Sequence, residues 1–133
     1  MNNKFKIFVL TIIVLFVTTN CNKDDSISQE YVGEWRTDYD VHDDYNIINI
    51  DNESKGSYVE YGPLADENID GTCKTENNYL YIGDKKLEIN ETPVNESDTS
   101  CVWCSCGKQT CIVYSSKMKL ENRVYYKVEE IIE

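Results

Sequence analysis

Glu76-Asn77-Asn78-Tyr79-Leu80-Tyr81-Ile82-Gly83-Asp84 is the stretch whose reading decides the fold. Tyr and aliphatic side chains alternate through its middle. In an extended chain successive side chains point to opposite faces. Tyr79 and Tyr81 therefore share one face, and Leu80 and Ile82 share the other. Asn77-Asn78 and Gly83-Asp84 bracket the run with residues that tolerate positive φ or form Asx-type bonds. The stretch reads as a short strand between two tight turns, apolar on one side.

The same rhythm continues in both directions. Short runs rich in Tyr, Val and Ile recur from Tyr31 onward, separated by Asn, Asp, Gly and Ser. Strands are expected at 34–41, 45–50, 57–61, 71–74, 79–82, 86–89, 110–115 and 117–120, the last with 123–128. In the final run Val124, Tyr126 and Val128 share a face opposite Tyr125 and Lys127. Turns are expected at 53–56, 76–78, 83–84 and 121–122. No segment after residue 30 keeps a 3.6-residue period, so almost no helix is expected. Many short strands joined by short turns imply an all-β antiparallel meander, closing into a barrel or folding into a sandwich. Closure is favoured because it removes exposed strand edges.

The chain before residue 30 is of another kind. Lys4 and Lys6 precede the apolar run 7–17, which leads through Thr18-Thr19-Asn20 to Cys21. That order is the order of an export signal, and the run is too short to span a bilayer. An Ala-x-Ala cleavage site is missing, and a cysteine follows the run instead. This arrangement resembles a bacterial lipoprotein signal. Thr18 and Asn20 stand where that family prefers Leu and a small residue. The resemblance implies that Cys21 becomes the first mature residue and carries acyl chains such as palmitate. Asn22-Lys23-Asp24-Asp25 resembles the Lys-acidic-acidic export tag of Bacteroidota surface lipoproteins. It implies an outer-membrane protein anchored on the cell surface, with the periplasmic face as the alternative. The expected organisation is a signal at 1–20, an acidic flexible tether at 21–29, and one β domain at 30–133.

The formal charge is −11. Losing Lys4 and Lys6 with the signal makes the remainder two charges more negative. Such a chain repels nucleic acid, whose phosphates need clustered Lys and Arg. All three Phe lie in the signal, whereas all ten Tyr and both Trp lie beyond it. Tyr and Trp combine an apolar body with a polar tip and suit half-exposed strands.

Tyr31-Val32-Gly33-Glu34-Trp35 contains the Gly-x-Trp that opens lipocalin-like barrels. Together with the Gly56 hairpin, the 77–82 strand and the closing 118–127 strand, it resembles the small lipocalin-like domains of Bacteroidota lipoproteins over residues 31–128. The resemblance implies a structural signature of Gly33, Trp35 and a late basic residue, Arg123 or Lys127, packed across the Trp. It also implies a barrel that holds a small ligand or presents loops to a surface partner.

Cys73, Cys101, Cys104, Cys106 and Cys111 are the remaining cysteines. Outside the cytoplasm they are disulfide candidates, and their odd number leaves at least one thiol over. Cys106 and Cys111 flank 107–110, a length that suits a hairpin or a loop closed by a bridge; four cysteines allow three pairings, and the sequence does not choose among them. Cys101-x-x-Cys104 with Cys106 and Cys111 could also supply thiolates to zinc or copper(I), or act in redox chemistry. Asp66-Glu-Asn68-Ile-Asp70-Gly71 matches the front of a calcium loop, with oxygens at alternate positions, though Asn77 stands where a bidentate Glu belongs. His42 is the only histidine, a poor basis for acid–base chemistry. No serine elbow or phosphate-cradling loop is present. The expectation is a non-catalytic, lipid-anchored binding protein without a resident cofactor. The alternatives are a disulfide-stapled interaction module without a pocket, or a metal or redox protein using residues 101–111.

Overall fold

The computed structural model describes residues 26–133, except 41, 64–65, 104–106 and the side chain of Asp66. The Cys21 anchor, most of the tether, Cys104 and Cys106 lie outside the described residues. After one 3-10 turn, Gln29–Tyr31, eight strands follow. They are β1 (Gly33–Arg36), β2 (Tyr45–Ile50), β3 (Lys55–Tyr61), β4 (Asp66–Glu76), β5 (Tyr79–Ile82), β6 (Lys85–Trp103), β7 (Gln109–Leu120) and β8 (Arg123–Ile132). Each pairs antiparallel with the next, and β1 pairs with β8 to close the ring. The closing seam is short, with Trp35 opposite Lys127 and Arg36 opposite Tyr126.

Alternation decides what the ring encloses. β2 turns Ile48 and Ile50 inward, β5 Leu80 and Ile82, β6 Leu87 and Ile89, and β7 Met118 and Leu120. Trp35, Tyr58 and Tyr125 complete the core from β1, β3 and β8. These side chains fill the interior, as in other small barrels. The hairpins β4–β5 and β7–β8 turn through pairs with positive φ: Asn77 and Asn78, then Glu121 and Asn122. That geometry matches the right-handed twist of the flanking strands.

One end of the barrel is plugged by the chain that leads into it. Ile27 and Tyr31 are buried, and the Ile27 N–H donates to Ser54 Oγ in the β2–β3 turn at 2.8 Å. Trp35 Nε1–H donates to the Tyr31 carbonyl at 2.8 Å, tying plug to core.

Several strand limits differ from expectation. The first strand ends at Arg36, because the Asp40 carboxylate gathers the backbone of the following loop. Residues 66–70, expected as a loop, belong to β4. Asn68 and Asp70 lie on its solvent face while Ile69, Gly71 and Cys73 alternate with them. β6 runs far beyond residue 89, to Trp103. The two runs at 110–115 and 117–120 are one strand, and the break between them is a register shift against β8 near Ser115.

Beyond the barrel wall, β6, β7 and β8 continue as a ribbon. Register shifts between Ile89 and Asp98 and around Tyr114 mark where it departs, as irregularities bend strands. One face of the ribbon buries Thr110, Ile112, Tyr114 and Ser116. Tyr114 packs on Tyr126 with ring centroids 4.6 Å apart. Ser100 Oγ–H donates to Asp38 Oδ2, just past β1, at 2.6 Å. A disulfide joins Cys101 to Cys111 across the ribbon.

Candidate functional site at the barrel mouth

The end opposite the plug is where the inward face becomes polar. Strand parity places Asn46 of β2, Tyr58 and Glu60 of β3, Lys85 of β6, and Arg123 and Tyr125 of β8 around a cavity of about 390 Å³. Leu87 also lines it, so the apolar core lies directly beneath. A wider groove of about 600 Å³ lies at the plugged end around Gly33, Gly56 and Gly71. It is open to solvent over most of its extent and its centre is glycine backbone. The mouth is the smaller of the two, yet it gathers more side chains able to recognise a ligand.

Asn46 is the hub. Its buried amide is oriented by its neighbours, which are hydroxyl and guanidinium donors. With its oxygen turned toward them, it accepts from Tyr125 OH at 3.0 Å, Tyr58 OH at 3.1 Å and Arg123 Nη1 at 3.1 Å, while its nitrogen donates to the Tyr45 carbonyl at 3.3 Å. Burial pushes the Tyr58 phenol far above its usual range and raises Tyr125 as well. Both stay neutral and keep a proton to donate at physiological pH.

Two of the cations on the rim are each held by a carboxylate. Lys85 pairs with Glu67, and its ammonium lies 4.5 Å from the Tyr58 ring centroid. Arg123 Nη2 donates to Asp40 Oδ2 at 2.7 Å. Asp40 Oδ1 accepts from the backbone N–H of His42 at 2.8 Å and of Asp44 at 3.0 Å. Those backbone donors, and then Arg123, hold the Asp40 carboxyl below the usual range. The β1–β2 loop is thereby clamped onto the mouth. With Lys86 and Glu121 also in the lining, the mouth presents neutral phenols, an amide, three cations and the carboxylates of Glu60 and Glu121. This mixture suits a polar ligand with both donors and acceptors.

Gly33 and Trp35 meet Lys127 at the seam. Lys127 is the basic residue over Trp35, its Nζ 5.8 Å from the ring centroid. Arg123 is turned instead to Asp40 and Asn46. Gly33 sits opposite Ile50 with φ 136°, and a Cβ there would come 2.7 Å from Lys127 Cε.

The cysteines divide. Cys111 is bridged to Cys101, its register partner on β6, with Cα atoms 4.1 Å apart, and so not to Cys106 across the short loop. A bridged pair offers no thiolates to zinc or copper. Cys73, a disulfide candidate by sequence, is instead a free, fully buried thiol behind Gly56. Burial, and then Asp51, raise its pKa to about 11. The calcium-loop expectation at Asp66, Asn68 and Asp70 falls on β4. Asn68 and Asp70, alternate residues of that strand, stand in a row about 7 Å apart, and the side chain of Asp66 lies outside the described residues. Among the described residues no cluster of three His, Cys, Asp or Glu side chains is placed to hold a metal. His42 is exposed in the clamped loop.

Sequence reasoning missed Asn46, Tyr58, Lys85 and Tyr125 as a group. The available signal was parity: polar residues on the inward register of strands, close to their ends. No protein-family model matches the chain, and no curated protein or solved structure matches it. Among the described residues no helix is long and apolar enough to cross a membrane.

Proposed function

We propose that this chain is a lipid-anchored, non-catalytic binding protein of the bacterial outer membrane, and that the barrel mouth holds a small polar ligand. The observation that carries the reading is the convergence of Arg123, Tyr58 and Tyr125 on Asn46 at the rim of a cavity above a filled core. The filled interior leaves a shallow polar seat rather than a deep apolar one. The Cys21 signal supports the anchor, and the fold suits it. Five residues separate Cys21 from buried Ile27, so six Cα-to-Cα steps reach at most about 20 Å. The plugged end therefore faces the membrane and the mouth faces away.

A thermal-shift and NMR titration against monosaccharides and small carboxylates tests the mouth. A ligand whose effect disappears in Arg123→Ala and Tyr58→Phe supports the reading. Silence across both classes would overturn it. Mass spectrometry of envelope protein tests the anchor, since Cys21→Ser should abolish an acylated mature form. A second reading, an interaction module without a ligand, is favoured by the packed interior and the stapled ribbon.

A further inference from the structure

β6 has a neighbour on one side only for most of its length. β5 pairs with it at residues 85–88, and β7 runs beside it to Trp103. Among the described residues no strand covers the other edge of 91–103. The first half of that edge is interrupted by register shifts and by Pro93, which has no N–H. The second half, 98–103, keeps an unbroken register with β7.

The hydrogen-bonding direction of that half follows from its geometry. The 4.1 Å between the Cα atoms of Cys101 and Cys111 is the close spacing of a non-hydrogen-bonded antiparallel pair. Ser100 and Val102 therefore bond to β7. The N–H and C=O groups of Thr99, Cys101 and Trp103 face the open edge. Thr99 shows the direction, since its N–H donates at 2.8 Å to its neighbour's carboxylate, Asp98 Oδ1, rather than to β7.

The edge also has a chemical character. Trp103 is 69% exposed, an unusual state for the largest side chain. Residues 90–103 contain Glu91, Glu96 and Asp98 and no Lys or Arg. Glu96 is shared with Lys117 at 2.8 Å. A second copy is a poor occupant, because two such edges would bring like charges together in a chain of net charge −11.

We propose that the 98–103 edge of β6 receives an extended, cationic segment of another protein, which adds to the ribbon as a further strand. Its backbone pairs with Cys101, Trp103 and the carbonyl of Thr99, whose own N–H is held by Asp98. Asp98 and Trp103 lie on opposite faces of the ribbon, so Lys or Arg side chains at alternate positions meet Asp98 while the intervening residues pack on the Trp103 ring. The site is separate from the mouth and does not depend on it.

The test uses the oxidised protein and three synthetic peptides. One alternates Lys and Thr, the second has Glu for Lys, and the third is the Lys peptide N-methylated at alternate residues. Trp103 emission reports contact, with Trp103→Phe and Asp98→Lys as variants that leave the buried core untouched. Saturable binding of the Lys peptide, weakened at least about tenfold by N-methylation or by Asp98→Lys, supports strand addition. Arg123→Ala should bind the peptide like the parent protein. Equal binding of the N-methylated peptide would reduce the effect to charge attraction and overturn the proposal. Failure of the Lys peptide to bind at low salt would do the same.

Discussion

The ammonium of Lys127 stands 5.8 Å from the centre of the Trp35 ring, and these two residues are also partners in the seam that closes the barrel. One contact thus serves both the register and the packing of the closing strands. The lysine stem lies across the site where any side chain on residue 33 would have to go.

Gly33→Ala should therefore destabilise the protein by about 1–3 kcal/mol, because φ 136° is strained for an L side chain and the new methyl meets Lys127. Lys127→Ala alone should cost about 0.5–1 kcal/mol of cation–π attraction, plus some stem packing. In the double variant the methyl contact is relieved and the backbone strain remains, so the two costs should sum to less than additivity. Urea unfolding of the four proteins measures this, and strict additivity would mean the methyl and the lysine stem do not meet.

Removing the Cys101–Cys111 bridge should act on the ribbon more than on the barrel. A closed loop of this length contributes up to about 3 kcal/mol in the chain-entropy account. Replacing both cysteines with serine should speed amide exchange at 98–103 and 109–114 while β2, β5 and the Leu120 region keep their protection. Uniform loss of protection would show that the ribbon and barrel unfold as one unit.

Cys73 should resist alkylation in the native protein. It is fully buried and its pKa is raised to about 11, so near pH 8 it is a protonated thiol out of reach. Iodoacetamide should label it only as fast as the protein opens, with a rate that rises with urea. Prompt labelling without denaturant would contradict its placement behind Gly56.

Acid should loosen the β1–β2 loop. The Asp40 carboxyl is depressed by the backbone N–H groups of His42 and Asp44 and by Arg123. A carboxyl with a lowered folded pKa contributes stability that is complete above its unfolded value, about 3.9, and is lost as pH falls through the folded value. The stability of Asp40→Asn should depend less on pH below about 4 than that of the parent. Matching profiles would remove Asp40 from the acid response.

Alkali should act at the mouth. Tyr58 and Tyr125 are both raised by burial. A raised phenol keeps its full contribution below its unfolded pKa, about 10, and loses it as pH climbs toward the folded one. Stability should fall above about pH 10, and the Tyr58→Phe, Tyr125→Phe double variant should show a shallower fall. An unchanged slope would place the alkaline transition elsewhere.

Strands 45–50 and 79–82 were legible to the residue, because each alternates against a filled core and is bounded by turn chemistry. The first half of β4, 66–70, reads as a polar loop that matches the front of a calcium site, because its outer face carries Asn68 and Asp70 and its inner face includes Gly71. Its period was hidden by the lack of apolar contrast. The 90–103 part of β6 was invisible for a related reason. It is held by pairing to β7 rather than by a buried face, and such a strand has no hydrophobic pattern to read. The mouth eluded the sequence because Asn46, Tyr58 and Tyr125 are distant in the chain and meet only once the ring closes. The bridge at Cys101–Cys111 is one of several pairings open in the sequence, decided by the register of β6 on β7.

That bridge also changes how the ribbon would carry load. A hairpin pulled apart at its tip normally unzips one hydrogen-bonded rung at a time, at low force. Here unzipping stops after two rungs, at the covalent one that joins residues 101 and 111. Tension is passed down both strands together, into the register shifts and then into the wall of the barrel. The ribbon is a stiff handle, and whatever grips its end is mechanically coupled to the core around Met118 and Leu120.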